Sequence, residues 1–388
     1  MAEMQILEQG DIIDACSLPG RRRSHLFPTL HRLSDGRILL AVRRGTDKMS
    51  PDGNCVVVAS ADGGRTWETF CDAMPSVLHG VRGEVRATEL TERADGTLLA
   101  VLSWLDRRGD APVGDDDPQR PKAPRRLAVA SSPDGGRSWG DLVALDAGAA
   151  GFPVLTGPPL ALQSGGYLIP LESTEPAAPD RATTHAAEAI VSLDGTSTDA
   201  VVTIAQDPAH RMRYYDQRLT VADGGTRLLA AFWTYDRDTG RDVDIHLSVG
   251  SADGSQWSVP AATGIQGQVA APIVLPDGRL LLFYVRRTPP LGLRLVAGEG
   301  GEAALEGGGR WDLRNELEVY APIAPAADSA PVADAEAGGG YAQLWQDMAV
   351  WSYGHPSAVL VEEGVLLLAY YAGEDERTLG VRWARVGV

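Results

Sequence analysis

Ser60-Ala-Asp62-Gly-Gly64-Arg-Thr66-Trp67 and Ser132-Pro-Asp134-Gly-Gly136-Arg-Ser138-Trp139 repeat one pattern, S-x-D-x-G-x-[ST]-W, within a single chain. Its logic is that of a clasp on a hairpin. The Ser and Asp side chains can bond the backbone N–H groups of their own turn, Gly takes the left-handed conformation, and Trp plugs the gap beside it. Ser251-Ala-Asp253-Gly-Ser-Gln-Trp257 is the same motif one residue short, and Ser192-Leu-Asp194-Gly195 is a remnant without the Trp. These residues read as structural, not catalytic.

Around the clasps a longer unit recurs: a short apolar strand, a turn ending in Gly, and a second strand dominated by Leu. Its first strands begin near Phe27, Thr88, Pro159, Arg218, Pro272 and Pro356, and its turn glycines are Gly36, Gly96, Gly165, Gly224, Gly278 and Gly364. The Asp-Gly turns supply the positive φ that tight hairpins need. Intervals of 54 to 86 residues between these glycines leave room for about four short strands per unit. Across 388 residues, 44% hydrophobic and 22% charged, the composition is that of a folded chain, and 44 Gly with 25 Pro favour turns over long helices. Glu3–Ala15 and Leu379–Val388 both read as strands, and sharing one sheet between them would remove an open edge. The expectation is one all-β domain over 1–388. Asp106–Arg126, with its Asp115–Asp117 run, and Ala321–Gly340 interrupt the units as polar loops.

The octets are Asp-boxes, or BNR repeats, and over essentially its whole length the chain resembles the sialidase superfamily of six-bladed β-propellers. That resemblance implies a propeller closed by N- and C-terminal strands in one blade. It also implies a sialidase site: an arginine triad on the substrate carboxylate, a Tyr nucleophile helped by a Glu, and an Asp acid/base. His25-Leu26-Phe27-Pro28 stands where the family has F-R-I-P, so the first triad arginine is replaced by Leu26. Arg43-Arg44-Gly-Thr-Asp47 resembles the family's arginine strand end and acid/base loop, with Asp47 the acid/base candidate and Asp52 second. Asp216 falls near the assisting Glu, and Arg286 or Arg287 matches a strand-end arginine of the fifth unit. His355 aligns with the nucleophile position, and Tyr353 lies two residues before it.

The residues themselves point to the same places. In a propeller the innermost strands line a central channel, so side chains just upstream of each repeat strand are candidates: His25, Arg86 with Glu89, Thr156, Asp216, Gln268, and Tyr353 with His355. A second tier follows the Leu-rich strands: Arg43-Arg44 with Asp47, Trp104 with Asp106, Glu172, Trp233 with Asp236, Arg286-Arg287, and Tyr371. Arginines, acids and aromatics gathered on one pocket suit a sugar, because aromatic faces cover apolar sugar faces, Arg holds carboxylates and hydroxyls, and paired acids cleave glycosidic bonds. Asp47, Asp216, Tyr353 and His355 are the catalytic candidates, the others substrate-binding.

A net charge of −17 without a basic stripe argues against nucleic acid and against an anionic membrane surface. It leaves room for a locally basic pocket. Three sparse cysteines form neither a disulfide framework nor a zinc pair. No leader is visible at the N-terminus, so a cytoplasmic location is expected. No cofactor and no metal are implied, and oligomeric state is left open. The leading expectation is a sialidase-like exo-glycosidase acting on a terminal, acidic sugar. A polysaccharide lyase or another glycosidase on the same scaffold is the second reading, and a non-catalytic glycan-binding propeller the third.

Overall fold

The computed structural model describes residues 4–109, 123–148, 152–175, 184–299, 308–322 and 348–388. Asp115–Asp117 and most of the two interrupting loops lie outside them. The described chain is nearly all β. Antiparallel meanders follow one another in chain order, each starting with one of the repeat strands. The first contains Ser24–Arg32, Ile38–Gly45, Asn54–Ser60 and Glu68–Cys71. The second contains Glu84–Glu92, Leu98–Leu105, Arg125–Ser132 and Val143–Leu145. The third opens with two short strands, Val154–Leu155 and Leu160–Ala161, before Tyr167–Glu175, Thr184–Ser192 and Ala200–Ala205. The fourth contains Met212–Ala222, Arg227–Asp236, Asp244–Ser251 and Ala261–Gln266. The fifth contains Ala270–Val274, Leu280–Arg286, Gly292–Glu299 and Leu317–Tyr320. The sixth contains Tyr353–Glu362, Val365–Asp375 and Thr378–Gly387.

The sixth meander takes its outer strand from the other end of the chain. Gln5–Ile13 pairs antiparallel with Thr378–Gly387, from Gln5 opposite Gly387 to Ile13 opposite Val381. A single parallel pair, Ser24 with Leu379, then joins this sheet to the first meander. The edge expected to be hidden by joining the ends is therefore paired.

Apolar strand faces leave the sheets no option but to pack on one another. Separate apolar clusters sit between consecutive meanders, first on second, second on third, and so on to fifth on sixth. A further cluster joins sixth to first: Leu30, Ile38, Leu40, Val42, Val56 and Val58 against Leu367, Ala369, Val381 and Trp383.

The clasps form as their chemistry requires. Asp62 Oδ1 accepts from the backbone N–H of Arg65 at 3.0 Å and of Thr66 at 2.9 Å, and Asp62 Oδ2 accepts from the Thr66 hydroxyl at 2.6 Å. Ser60 Oγ accepts from the Gly64 N–H at 2.9 Å, and Trp67 Nε1 donates to the Gly64 carbonyl at 3.0 Å. Asp134 and Trp139 repeat this network, and Trp257 Nε1 donates to Gly254 at 2.8 Å. Trp311 does the same to Gly308 at 2.9 Å, a clasp in the fifth meander whose sequence signature has worn away.

The clasp glycines also face the neighbouring meander. A Cβ on Gly64 would sit 2.5 Å from Leu367 Cδ2, on Gly195 2.3 Å from Leu99 Cδ1, and on Gly254 2.4 Å from Leu168 Cδ1. In each case the leucine belongs to the preceding meander, and for Gly64 that means the sixth. Gly64 (φ 91°) and Gly36 (φ 89°) share a left-handed backbone, but Gly36 has nothing within 4 Å of its would-be Cβ. Gly36→Ala should therefore cost only the conformational strain, about 1–2 kcal/mol. Gly64→Ala should cost more, and its excess should shrink in a Leu367→Ala background. Denaturant midpoints of the four proteins check this; equal losses for the two glycines would show that close approach to the sixth meander is not limiting.

Candidate functional site

The first strand of four meanders is bulged at the same height. Between Leu26–Arg43 and Thr29–Ala41, two residues, Phe27 and Pro28, oppose one. Asp216 and Gln217 do so between Tyr215–Trp233 and Arg218–Ala231, and His355 and Pro356 between Gly354–Tyr371 and Ser357–Ala369. Arg86 is an extra residue between Val85–Trp104 and Ala87–Ser103. Phe27 (φ 56°), Asp216 (φ 47°) and His355 (φ 53°) hold left-handed backbone, rare for such side chains. Bulges break pairing and re-aim a side chain, and they concentrate beside functional sites. Phe27, Arg86, Asp216 and His355 all line one pocket, which has about 580 Å³ of free space including its open mouth.

The remaining walls come from strand ends and loops. Trp233, Gln268, Arg287 and Tyr371 were expected there; Lys48, Met49, Val269, Val285, Met348 and Trp351 were not. Arg287 lies between two aromatic faces, 4.2 Å from the Trp351 ring centroid and 4.0 Å from that of Tyr353. Its Nη2 donates to the Tyr353 carbonyl and its Nε to Gln268 Oε1 at 3.4 Å. Gln268 Nε2 and Trp233 Nε1 both donate to Asp242, each at 2.7 Å. One chain of contacts thus fixes Trp233, Gln268 and Arg287 together. Arg86 donates to the Lys48 carbonyl at 2.5 Å and to Glu84 Oε1 at 3.3 Å, with its guanidinium 5.5 Å from the Phe27 ring centroid.

Carboxyl groups crowd the floor. The Asp216 N–H donates to Glu172 Oε1. Burial raises the pKa of both acids. The charge of Asp216 pushes Glu172 further, well above the carboxylate range, and the Arg218 guanidinium opposes the rise at both acids. Burial thus holds both carboxyls above their ordinary range, Glu172 the more strongly. Arg218 Nη2 lies 3.3 Å from Nδ1 and 3.1 Å from Nε2 of His355. Burial, then that cation, pushes His355 well below its ordinary value, so its ring is neutral. Burial raises Tyr371, against the pull of Arg287.

The other sequence candidates sit elsewhere. Arg43 is fully buried behind the wall, donating to Glu84 Oε1 at 3.0 Å, to the Asp47 carbonyl at 3.0 Å and to the Ser50 carbonyl at 2.7 Å. Its role is to anchor Glu84, which also meets Arg86 and, at 3.5 Å, Arg107. Three guanidinium groups on one carboxylate leave this wall positive. The Asp47 carboxylate accepts from the Met49 N–H at 2.8 Å and caps its own loop, presenting its neighbours Lys48 and Met49 to the pocket instead. Asp52 caps Thr46, and Arg44 pairs outward with Asp72. Trp104 is core, its Nε1 donating to the Ser76 carbonyl at 3.0 Å. Asp106 pairs with Arg108 and Asp236 with Arg211. Arg286 faces the Pro289 carbonyl and Glu316. Tyr353 turns its hydroxyl to the Arg286 carbonyl at 2.9 Å. The His25 ring bonds the Leu379 carbonyl at 3.0 Å across the sheet closure, where burial lowers its pKa to about 4.

The sequence did carry a sign of the missed Phe27. Proline inside a strand is confined to edges and bulges, and Pro28 and Pro356 each follow a bulged pocket residue. Lys48, Met348 and Trp351 come from loops, where no periodicity points inward. Among the described residues no cluster of His, Cys, Asp or Glu is arranged to hold a metal ion.

No family model matches the chain, and no curated protein matches it. Among solved structures, a protein of unknown function from Dyadobacter fermentans superposes with a TM-score of 0.72 over 100% of both chains at 18% identity. An α-L-arabinanase of Penicillium chrysogenum, complexed with arabinobiose, superposes with a TM-score of 0.62 over 98% of both chains at 14% identity. A leech intramolecular trans-sialidase gives 0.61 over 97% of this chain and 70% of that one, at 13% identity. The shared feature is the propeller fold. At these identities the likeness is one of architecture, and function must be argued from the pocket.

Glu89 provides a readout of the buried interior near Arg218. It is fully buried, its Oε2 has no hydrogen-bond partner among the described residues, and burial raises its pKa to about 7 against the pull of Arg218 and a hydrogen bond from Thr29. The folded protein then holds this proton to about pH 7, whereas the unfolded chain releases it near 4.5. In that window unfolding releases a proton, so rising pH removes stability. Glu89→Gln cannot titrate. Its stability relative to the parent should be flat below pH 4.5 and rise between there and pH 7, by about 3 kcal/mol at most. A pH-independent difference between the two denaturation curves would mean that Glu89 titrates at the same pH folded and unfolded.

Proposed function

We propose that the protein is a sialidase-like glycoside hydrolase that removes a terminal, acidic sugar from a glycan. The reading includes a single domain whose six meanders form the blades of one closed ring, with the pocket at its axis. The observation that carries it is the composition of that pocket: Arg86 and Arg287 on its walls, Trp233 and Trp351 as aromatic faces, and Asp216 with Tyr371 on its floor. The two guanidinium groups hold the sugar's carboxylate, which Arg does through paired N–H donors. The tryptophans cover an apolar ring face.

Tyr371 takes the nucleophile's part in this reading. Its pocket position lies close enough to Asp216 for that carboxylate to act on it electrostatically. Asp216, kept ionisable by Arg218, accepts the phenolic proton as the oxygen attacks the anomeric carbon. A phenol avoids bringing a full negative charge against an already anionic sugar. Asp47, expected as acid/base, is bonded to its own loop, so the leaving group's proton would come from it only after that loop moves.

A second reading has its own observation. Glu172 accepts from the backbone N–H of Asp216, so two buried acids with raised pKa adjoin, and glycosidases of neutral sugars divide their acid and base work between two carboxyls. It calls for an arabinofuranoside or similar substrate and no anionic group.

A panel of aryl α-sialosides, β-glucuronides and α-L-arabinofuranosides separates the two. The first reading expects turnover of an acidic glycoside, lost by 100-fold or more in Asp216→Asn and in Tyr371→Phe. It also expects Arg287→Met to raise KM for the acidic substrate selectively. Turnover of the arabinofuranoside, with Tyr371→Phe unaffected and Glu172→Gln inactive, would replace it by the second. Binding of sugars without turnover of any panel member would leave a glycan-binding module.

A further inference from the structure

The chain contains 35 basic residues, and only two of them, Lys48 and Lys122, are lysine. Lys122 lies outside the described residues. Lys48 is on the pocket wall, carried by the loop that follows Ile38–Gly45. Arginine is effectively always protonated in proteins, whereas lysine gives up its proton when buried and surrounded by positive charge. A chain that uses arginine almost everywhere thus places a different chemical group at this point.

The contacts of Lys48 are all with neutral oxygens, and none supplies a counter-charge. Nζ donates to the Met348 carbonyl at 2.8 Å and the Trp351 carbonyl at 2.6 Å. Its third neighbour, the Tyr371 hydroxyl at 3.4 Å, can donate as well as accept. No carboxylate pairs with Nζ among the described residues. The charged groups around it are Arg86 and Arg287 on the flanking walls, Asp216 on the floor, Glu376 farther off, and Asp47, whose carboxylate is committed to its own loop. Burial first, then the two guanidinium groups, lowers the amine's pKa well below the ordinary lysine value, with Glu376 opposing.

We propose that Lys48 is a covalent binding site for carbonyl compounds that carry an anionic group, such as 2-oxo acids and the open-chain forms of acidic sugars. The Nζ lone pair attacks the carbonyl carbon and a C–N bond forms. The carbonyl oxygen leaves as water with the two amine protons, giving an imine. Arg86 and Arg287 hold the carboxylate of the same molecule, and the Tyr371 hydroxyl hydrogen-bonds the departing oxygen. The proposal goes beyond the hydrolase reading and does not depend on turnover.

The low lysine count makes the test clean. The full-length protein is incubated at pH 7 with glyoxylate and cyanoborohydride, which reduces any imine to a stable carboxymethyl amine, and Lys48 and Lys122 are quantified by peptide mass spectrometry. The same reaction on urea-unfolded protein gives each lysine's intrinsic rate. An ordinary lysine is almost wholly protonated at this pH, and each unit of pKa lowering raises the reactive fraction tenfold. Labelling of Lys48 in the folded protein should therefore exceed its own unfolded rate by at least about tenfold, and Lys122 should show no such gain. Arg287→Met should reduce Lys48 labelling by glyoxylate more than labelling by formaldehyde, which has no anionic group. A Lys48 that labels no faster folded than unfolded overturns the proposal, whatever the glycoside panel shows. Equal loss with both reagents in Arg287→Met overturns the anionic part of it.

Discussion

Everything else in this molecule rests on the close approach of a left-handed turn in one sheet to a leucine of the sheet before it. The clasp is local in its hydrogen bonds, from the Thr66 hydroxyl to Asp62 and from Trp67 back to Gly64. Its energetic consequence lies between sheets. By satisfying the turn's own N–H groups, the clasp lets bare glycine backbone press on Leu367, Leu99 or Leu168 without leaving buried donors unpaired. The first, third and fourth meanders are thereby set against their predecessors, and the contact from Gly64 to Leu367 does so between the first meander and the sixth.

That registration sets the height of the bulges, and the bulges make the pocket. A regular strand would alternate its side chains between two neighbouring sheets and send none toward the centre. The extra residues at Phe27, Arg86, Asp216 and His355 break the alternation at one level. The backbone strain is tolerated because packing on both sides of each sheet fixes the chain. The electrostatics follow from the same geometry. Glu172, Asp216 and His355 come from three different sheets, and burial shifts all three, with the neighbouring charges of Asp216 and Arg218 adding to it or opposing it.

The architecture was legible in the sequence because its determinants are local. Octets, Asp-Gly turns and apolar runs of fixed length are readable residue by residue, and strand positions followed from them. Where the octet decayed, as before Trp311, only the structure showed the clasp. The pocket was legible in part. Strand-end residues such as Asp216, Gln268 and His355 could be located because register fixes where they emerge. Arg43 and Trp104 emerge at the same register and yet are buried, one tied to Glu84 and the other to Ser76. Which of two adjacent arginines turns inward, Arg286 or Arg287, depends on partners from other sheets that no spacing encodes. The loop contributions of Lys48 and Trp351 depend on three-dimensional proximity across some three hundred residues.

The sheet shared by Gln5–Ile13 and Thr378–Gly387 has a kinetic meaning too. During synthesis Gln5–Ile13 leaves the ribosome with its hydrogen-bonding edge exposed and waits for Thr378–Gly387, a partner made more than 360 residues later. Loop closure over almost the entire polypeptide must precede that last pairing, so assembly finishes late and in a concerted step. Until then an unpaired strand edge is open to pairing with another chain.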